Sequence, residues 1–291
     1  MPKSIETMKK LLLITLSVLA VLMSCKQEKT SADADGTTTL QFTSSTYERI
    51  LRYEVPSDDA EGASDLSPLY SMATLRLMLP TSIGGEEPTD LLHAVIKTFF
   101  SDSVSTTLSD ATERYLSRPL GMEEGSYINL CVVDSAESDY MQLSDHSADI
   151  HVKTMTTRWM VLECDAYEYF AGAAHPMTGS FYLNYDLQNN RLLTLDDIVT
   201  DRDHLALLLS QIYTQQRSGE PPYGYSTTVA ADGTFDIPVT DNFFLTSGGL
   251  SFVYQPYEIA SYAEGIQTIR ISFFELLDAD ILTSQFKETD F

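Results

Sequence analysis

RWMVLECDAYEYF, residues 158–170, alternates over its whole length. Trp159, Val161, Glu163, Asp165 and Tyr167 fall on one side of an extended chain, and Met160, Leu162, Cys164 and Ala166 on the other. A period of two is the signature of a strand, and the second, uniformly apolar set is expected to face the core. Working outward, DIHVKTM (149–155) and SFYLNYDL (180–187) carry the same pattern, the latter ending at a Gln188-Asn189-Asn190 turn. Thr194 with Asp197 three residues on forms a capping-box pattern, predicting a helix through about residue 216. Residues 217–234, with two Pro and three Gly, predict a long loop. Strands are expected at 242–247, 250–255 and 266–272, with a short helix at 273–279.

Upstream the same signals thin out. Residues 40–55 predict one or two strands, 56–67 an acidic loop, and 69–79 and 127–133 strands. Thr89 is placed to cap a helix that Pro88 precedes, along which Leu91, Leu92, Val95, Ile96, Phe99 and Phe100 recur at helical spacing. Strands in runs, with helices inserted rather than strictly alternating, predict an α+β fold: mainly antiparallel sheets with a few helices packed on them.

The N-terminus sets the expected compartment. Lys3, Lys9 and Lys10 precede the apolar run LLLITLSVLAVLM, residues 11–23. Thirteen helical residues rise only about 20 Å, short of a bilayer core of about 30 Å. The run reads as a signal-peptide core, and Leu22-Met23-Ser24-Cys25 is similar to a bacterial lipobox. Residues 1–24 are then a lipoprotein signal peptide, Cys25 is the lipidation site (palmitate-type acyl chains), and 25–39 form a flexible tether without large apolar residues. The alternative is ordinary secretion, with Cys25 an incidental thiol. The expected location is a bacterial membrane, facing the periplasm or the cell surface.

The chain of 291 residues carries 18 basic and 42 acidic groups, a charge of −24. Without residues 1–24 the count is 15 against 41, a charge of −26. Such a surface repels phosphates, so nucleic acid is excluded as a general partner. A basic protein is favoured, and would be steered to it.

Chemistry is harder to find. There is no G-x-S-x-G, H-E-x-x-H, C-x-x-C, P-loop or G-x-G-x-x-G pattern. His146 and His151, near Asp145 and Asp149, could ligate a metal, but a polar loop entering a strand is the favoured reading, and no metal or cofactor is expected. Asp196, Asp197, Asp201 and Asp203 with His204 read as an acidic helix start rather than a calcium site. Cys131 and Cys164, both in strand-like segments, either pair as a disulfide or remain two buried thiols.

A resemblance adds to this reading. Tyr167-Glu168-Tyr169-Phe170-Ala171-Gly172-Ala173-Ala174-His175-Pro176 looks like a Y-x-Y-x-G-G-A-H-P signature, with Ala171 and Ala173 as departures from it. Further blocks follow at Asn184-Tyr185-Asp186, Leu193–Ile198, Asn242–Thr246, Gly249–Phe252, Tyr254–Ile259 and Ala263-Glu264-Gly265. Together they resemble the domain of unknown function 3298, the RsiV-like C-terminal domain, over about residues 160–280. The resemblance implies an α+β C-terminal part at 158–291. It also implies an N-terminal α+β part at 40–157 that faintly resembles the domain of unknown function 4163. One branch of the family is an anti-sigma factor whose extracellular domain binds lysozyme; another is fused to a peptidoglycan deacetylase. Neither the anti-sigma segment nor the deacetylase is present here.

His175, Tyr254, Tyr257, Glu258 and Tyr262 are the candidate binding surface, Tyr supplying contact area at low entropic cost. The competing reading has His175 satisfied by backbone and the tyrosines packed along their own sheet. The expected function is a non-enzymatic, lipid-anchored envelope protein that binds a macromolecular partner, lysozyme-like or otherwise cationic. The alternative is an enzyme or accessory factor acting on peptidoglycan or another envelope glycan.

Overall fold

A computed structural model describes residues 39–55, 68–136, 143–222 and 228–287. The signal segment, most of the tether and Cys25 lie outside the described residues. The described residues form two sheets and five helices. A seven-stranded sheet has the order β3-β1-β2-β4-β5-β6-β7, from β1 (Leu40–Glu54), β2 (Leu69–Ile83), β3 (Ile128–Val133), β4 (Leu143–Met155), β5 (Trp159–Tyr169), β6 (Met177–Asp186) and β7 (Arg191–Leu193). A three-stranded sheet, β10-β9-β8, uses β8 (Phe243–Thr246), β9 (Gly249–Tyr254) and β10 (Gln267–Ser272). Within both sheets every pair is antiparallel except β2 with β4. The α+β expectation holds.

Helices α1 (Thr89–Phe99) and α2 (Leu108–Ser117) cover one face of the large sheet. Leu91, Val95 and Leu116 from the helices meet Leu75, Leu77, Ile150, Met160, Leu162 and Cys164 from the strands. The opposite face, at its β5–β7 end, is covered by the small sheet with α3 (Arg202–Gln216), α4 (Phe273–Asp278) and α5 (Ser284–Lys287). There Trp159, Val161 and Tyr182 meet Leu205, Leu209, Phe243, Phe252, Ile269 and Phe286. The first half of β5 is therefore buried on both sides, Trp159 and Val161 in one core and Met160, Leu162 and Cys164 in the other. The single core face expected from alternation is corrected: alternation records which core a residue enters, not whether it enters one.

Other expectations shift for local reasons. Residues 40–54 form one long strand. Thr89 is the first helical residue of α1 rather than its cap, and Pro88 occupies the cap position with no side-chain hydrogen bond. Helix α2 has no counterpart in the sequence reading; Thr107 caps it, accepting from the Asp110 N–H at 3.1 Å. The Thr194–Asp197 box is real but closes only the 3-10 turn Leu195–Asp197. Helix α3 starts later, where the Asp201 carboxylate accepts from the His204 N–H at 2.9 Å.

The Cys131–Cys164 disulfide is excluded. Cys131 lies exposed on edge strand β3 and Cys164 buried on β5, both as free thiols. Three strands stand between them, so with about 4.8 Å per strand step the backbones are about 19 Å apart, far beyond disulfide reach. Burial, with Asp165, Asp149 and Glu163 nearby, pushes the Cys164 thiol up to about 12, leaving it protonated and inert.

Candidate functional site

The chain leaves β9 through Gln255-Pro256-Tyr257-Glu258. The Glu258 N–H reaches the Gln255 carbonyl at 3.1 Å, and the Glu258 carboxylate accepts from the Gln255 N–H at 2.7 Å, so the turn is closed twice. Pro256 sits second in the turn, and Tyr257, third, has φ +75°. That is the pattern of a type II turn, whose third residue is normally glycine because a Cβ clashes there. A bulky aromatic residue held in this conformation is an outlier that the surroundings must sustain.

What the strain achieves is the position of the ring. Tyr257 lies 51% exposed, stacked on Tyr262 with centroids 5.9 Å apart. Tyr262 opens the 3-10 turn Tyr262–Glu264 and stacks on His175 at 3.9 Å and 22°. His175 comes from the loop between β5 and β6. Its Nδ1 lies 2.9 Å from the Pro176 carbonyl, an acceptor only, so Nδ1 carries the proton. Nε2 is then the acceptor facing the Tyr257 hydroxyl at 3.4 Å. Three rings from two distant stretches thus form one surface cluster, and the backbone bond expected of His175 is also present.

Not all the candidate residues join it. Tyr254 is 1% exposed, packs in the core and donates its hydroxyl to the Pro238 carbonyl at 2.8 Å. Burial, and then Glu258, push its phenol up. Tyr254 is therefore corrected to a core residue: β9 is buried along its full length. Glu258 belongs to the turn and acts by closing it.

The amides behind the cluster, Asn184, Asn242 and Gln255, stand in the family-like blocks, but no local pattern in the sequence assigns them a joining role. Only Asn184–Asp186 of β6 pair with β7. Along the rest of that edge of β6, opposite β5, side chains replace a strand partner. Gln255 accepts from the Ser180 N–H at 3.0 Å and donates to the Ser180 carbonyl at 2.6 Å. Asn242 accepts from the Tyr182 N–H and donates to the Ser180 and Val253 carbonyls. Asn184, buried, donates to the Phe243 carbonyl and accepts from the Leu245 N–H, both at 2.9 Å. These three amides fasten the small sheet to the large one and set the Gln255 turn against the strand that leads from His175.

The metal pairing of His146 with His151, already the disfavoured reading, does not occur. Five residues apart on one strand, they point to opposite faces. His146 is buried against the Tyr115 ring, and burial lowers its pKa, keeping it neutral. Three of the acidic group at 196–203 are engaged locally: Asp197 pairs with Arg191 at 2.6 Å, Asp196 with Arg202 at 2.7 Å, and Asp201 caps α3, whose first turn holds Asp203.

The turn and two of the three clasp amides, Asn242 and Gln255, fall within one stretch with known relatives. Residues 196–273 match the family described as Protein of unknown function (DUF3298). The blocks quoted from Asn242 to Gly265 lie inside this match, whereas Tyr167–Pro176 and Asn184–Asp186 lie outside it. Two solved structures share the fold. One is a DUF3298 family member from Bacteroides fragilis NCTC 9343, 20% identical, with TM-score 0.56, covering 90% of this chain and 98% of that one. The other is a DUF3298 family protein from Pseudomonas aeruginosa PAO1, 16% identical, with TM-score 0.50, covering 85% and 96%. No curated protein matches the chain.

Proposed function

We propose that this chain is a lipid-anchored cell-envelope protein that works by binding a macromolecular partner rather than by catalysis. The observation that carries the reading is the His175–Tyr262–Tyr257 stack, presented on a turn whose strain a glycine would relieve. Rigid aromatic surface of this kind is what binding faces use. The charge of −24 favours a cationic partner, such as a lysozyme-like protein, and makes association salt-sensitive.

The anchor is Cys25, preceded by Leu22-Met23-Ser24, with the membrane reached through its acyl chains from the periplasmic or outer side of a bacterial cell. Among the described residues no helix is long and apolar enough to cross a membrane. The finer family reading, RsiV-like with 40–157 as counterpart of the domain of unknown function 4163, belongs to the same proposal.

Two measurements test it. Cells fed an alkyne-tagged palmitate label the wild type and not Cys25→Ser; equal labelling overturns the anchor. The protein is then titrated with a cationic muramidase at low and moderate salt. Binding is expected to weaken with salt and to fall at least about tenfold in Tyr257→Ala/Tyr262→Ala. No binding at either salt removes the lysozyme-like partner, and unchanged binding in the double variant removes the aromatic face.

A further inference from the structure

A second cluster lies on the large sheet, at the rim where the small sheet stops covering it. Strand register sets it in two adjacent rows: Asp149, Asp165 and Ser180 in one, His151, Glu163 and Tyr182 in the next. All these side chains share one face, because within each strand they are two residues apart. One donor atom each from His151, Glu163 and Asp165 lies within 4.8 Å of the others.

We propose that His151, Glu163 and Asp165 bind a divalent transition-metal ion of the zinc class. Three features support the assignment. His151 Nε2 lies 3.2 Å from Glu163 Oε2, close to the edge of about 3.3 Å between ligands of a tetrahedral zinc with bonds of about 2.0–2.1 Å. The other ring nitrogen, Nδ1, lies 3.5 Å from Asp149 Oδ1, the carboxylate–histidine arrangement that orients metal-bound imidazoles. The local charge is also unbalanced: Asp149, Glu163 and Asp165 face two cations, Lys153 at 2.8 Å from Glu163 and Arg76 at 3.8 Å from Asp149.

Lys153 is the competitor. A bulge between Val152 and Thr154 leaves it without a cross-strand partner and aims its ammonium at both Glu163 oxygens, at 2.8 and 3.0 Å. It also lies over the Tyr182 and Phe244 rings, 5.2 and 4.8 Å from their centroids. These rings hold it beside Glu163 Oε1, which already accepts the Tyr182 hydroxyl at 2.7 Å, when Oε2 turns to the metal. Asp165 keeps one oxygen on the Ser180 hydroxyl at 2.7 Å.

The full-length untagged chain, stripped with chelator, is titrated with Zn²⁺ by calorimetry and with Co²⁺ by visible absorption, each variant first checked for native circular dichroism. One saturable site and a tetrahedral Co²⁺ spectrum are expected. Asp149→Asn, which only loosens the imidazole, weakens binding about tenfold. His151→Ala and Asp165→Asn, which remove ligands, weaken it further. Lys153→Met, which removes the competing charge, binds Zn²⁺ more tightly than the wild type, and Zn²⁺ raises its melting temperature. Absence of saturable binding overturns the proposal, leaving a structural ion-pair network, as does a His151→Ala variant that binds like the wild type.

Discussion

At the residue scale, Tyr257 separates stability from function. Its φ of +75° costs of order 1 kcal/mol, and its stack on Tyr262 returns a similar amount. Tyr257→Gly is therefore expected to change folding stability by less than about 0.5 kcal/mol in urea titrations while abolishing the aromatic face. A large loss of stability would mean that the ring serves the fold. Glu163 is the opposite case, 7% exposed and sustained by its partners. Burial raises its pKa, but hydrogen bonds from Lys153 and Tyr182, with the charges of Lys153 and His151, outweigh this and hold it below the ordinary glutamate value. A lowered folded-state pKa gives stability that is present above the unfolded value and lost as pH falls through the folded one. Lys153→Ala should cost about 3 kcal/mol at pH 7, a gap that closes below about pH 4 as the carboxylate protonates. Denaturation midpoints of the two proteins between pH 3 and pH 7 (~0.5-unit steps) check both statements.

At the element scale, the joint between the sheets rests on side-chain amides. Asn184 replaces the strand partner that β8 lacks on that side, so Asn184→Leu strands a buried N–H at Leu245 and a buried carbonyl at Phe243. The expected loss is about 3 kcal/mol, far above that of an exposed Asn, and is read from the urea midpoint. Thr107→Ala is the milder control: it uncaps α2 and should cost about 1 kcal/mol. In sequence the Asn184-Tyr185-Asp186 and Asn242–Thr246 blocks stand in predicted strands, with no partner given for their amides. In space their amides are structural, and Asp186 closes the turn after β6 by accepting from the Gln188 and Asn189 N–H groups.

At the scale of the whole molecule, two cores share one sheet. Among the described residues, the core beneath the small sheet draws on residues from Trp159 onward. The other draws on both sides of that point, through Leu75 and Ile150 as well as Met160, Leu162 and Tyr185. The turn between β4 and β5 is thus a hairpin inside a continuous sheet. Residues 158–291 produced alone would expose the β4-facing edge of β5 and the apolar face of Met160, Leu162 and Cys164. We expect that fragment to aggregate or to melt without cooperativity, and the whole chain to unfold in a single calorimetric transition. A cooperative fragment transition would establish 158–291 as an independent domain.

Periodicity and local chemistry by themselves determined most strands, helix α1 and most of α3, the α+β class and the acid excess of the chain. Each depends on neighbours within a few residues, where side-chain direction follows from backbone period. The aromatic stack was legible only as a collection of residues, His175, Tyr257 and Tyr262, and tertiary structure joined His175 to the other two while removing Tyr254 to the core. The metal-reach cluster is half legible: the sequence sets His151 near His146, but strand parity sends those two to opposite faces. Its partners Glu163 and Asp165 come from the next strand, and cross-strand register is a property of pairing that no single strand encodes. The same holds for Cys131 and Cys164, equal in strand character yet four strand steps apart, because sheet order is decided by which surfaces find each other in the folded chain.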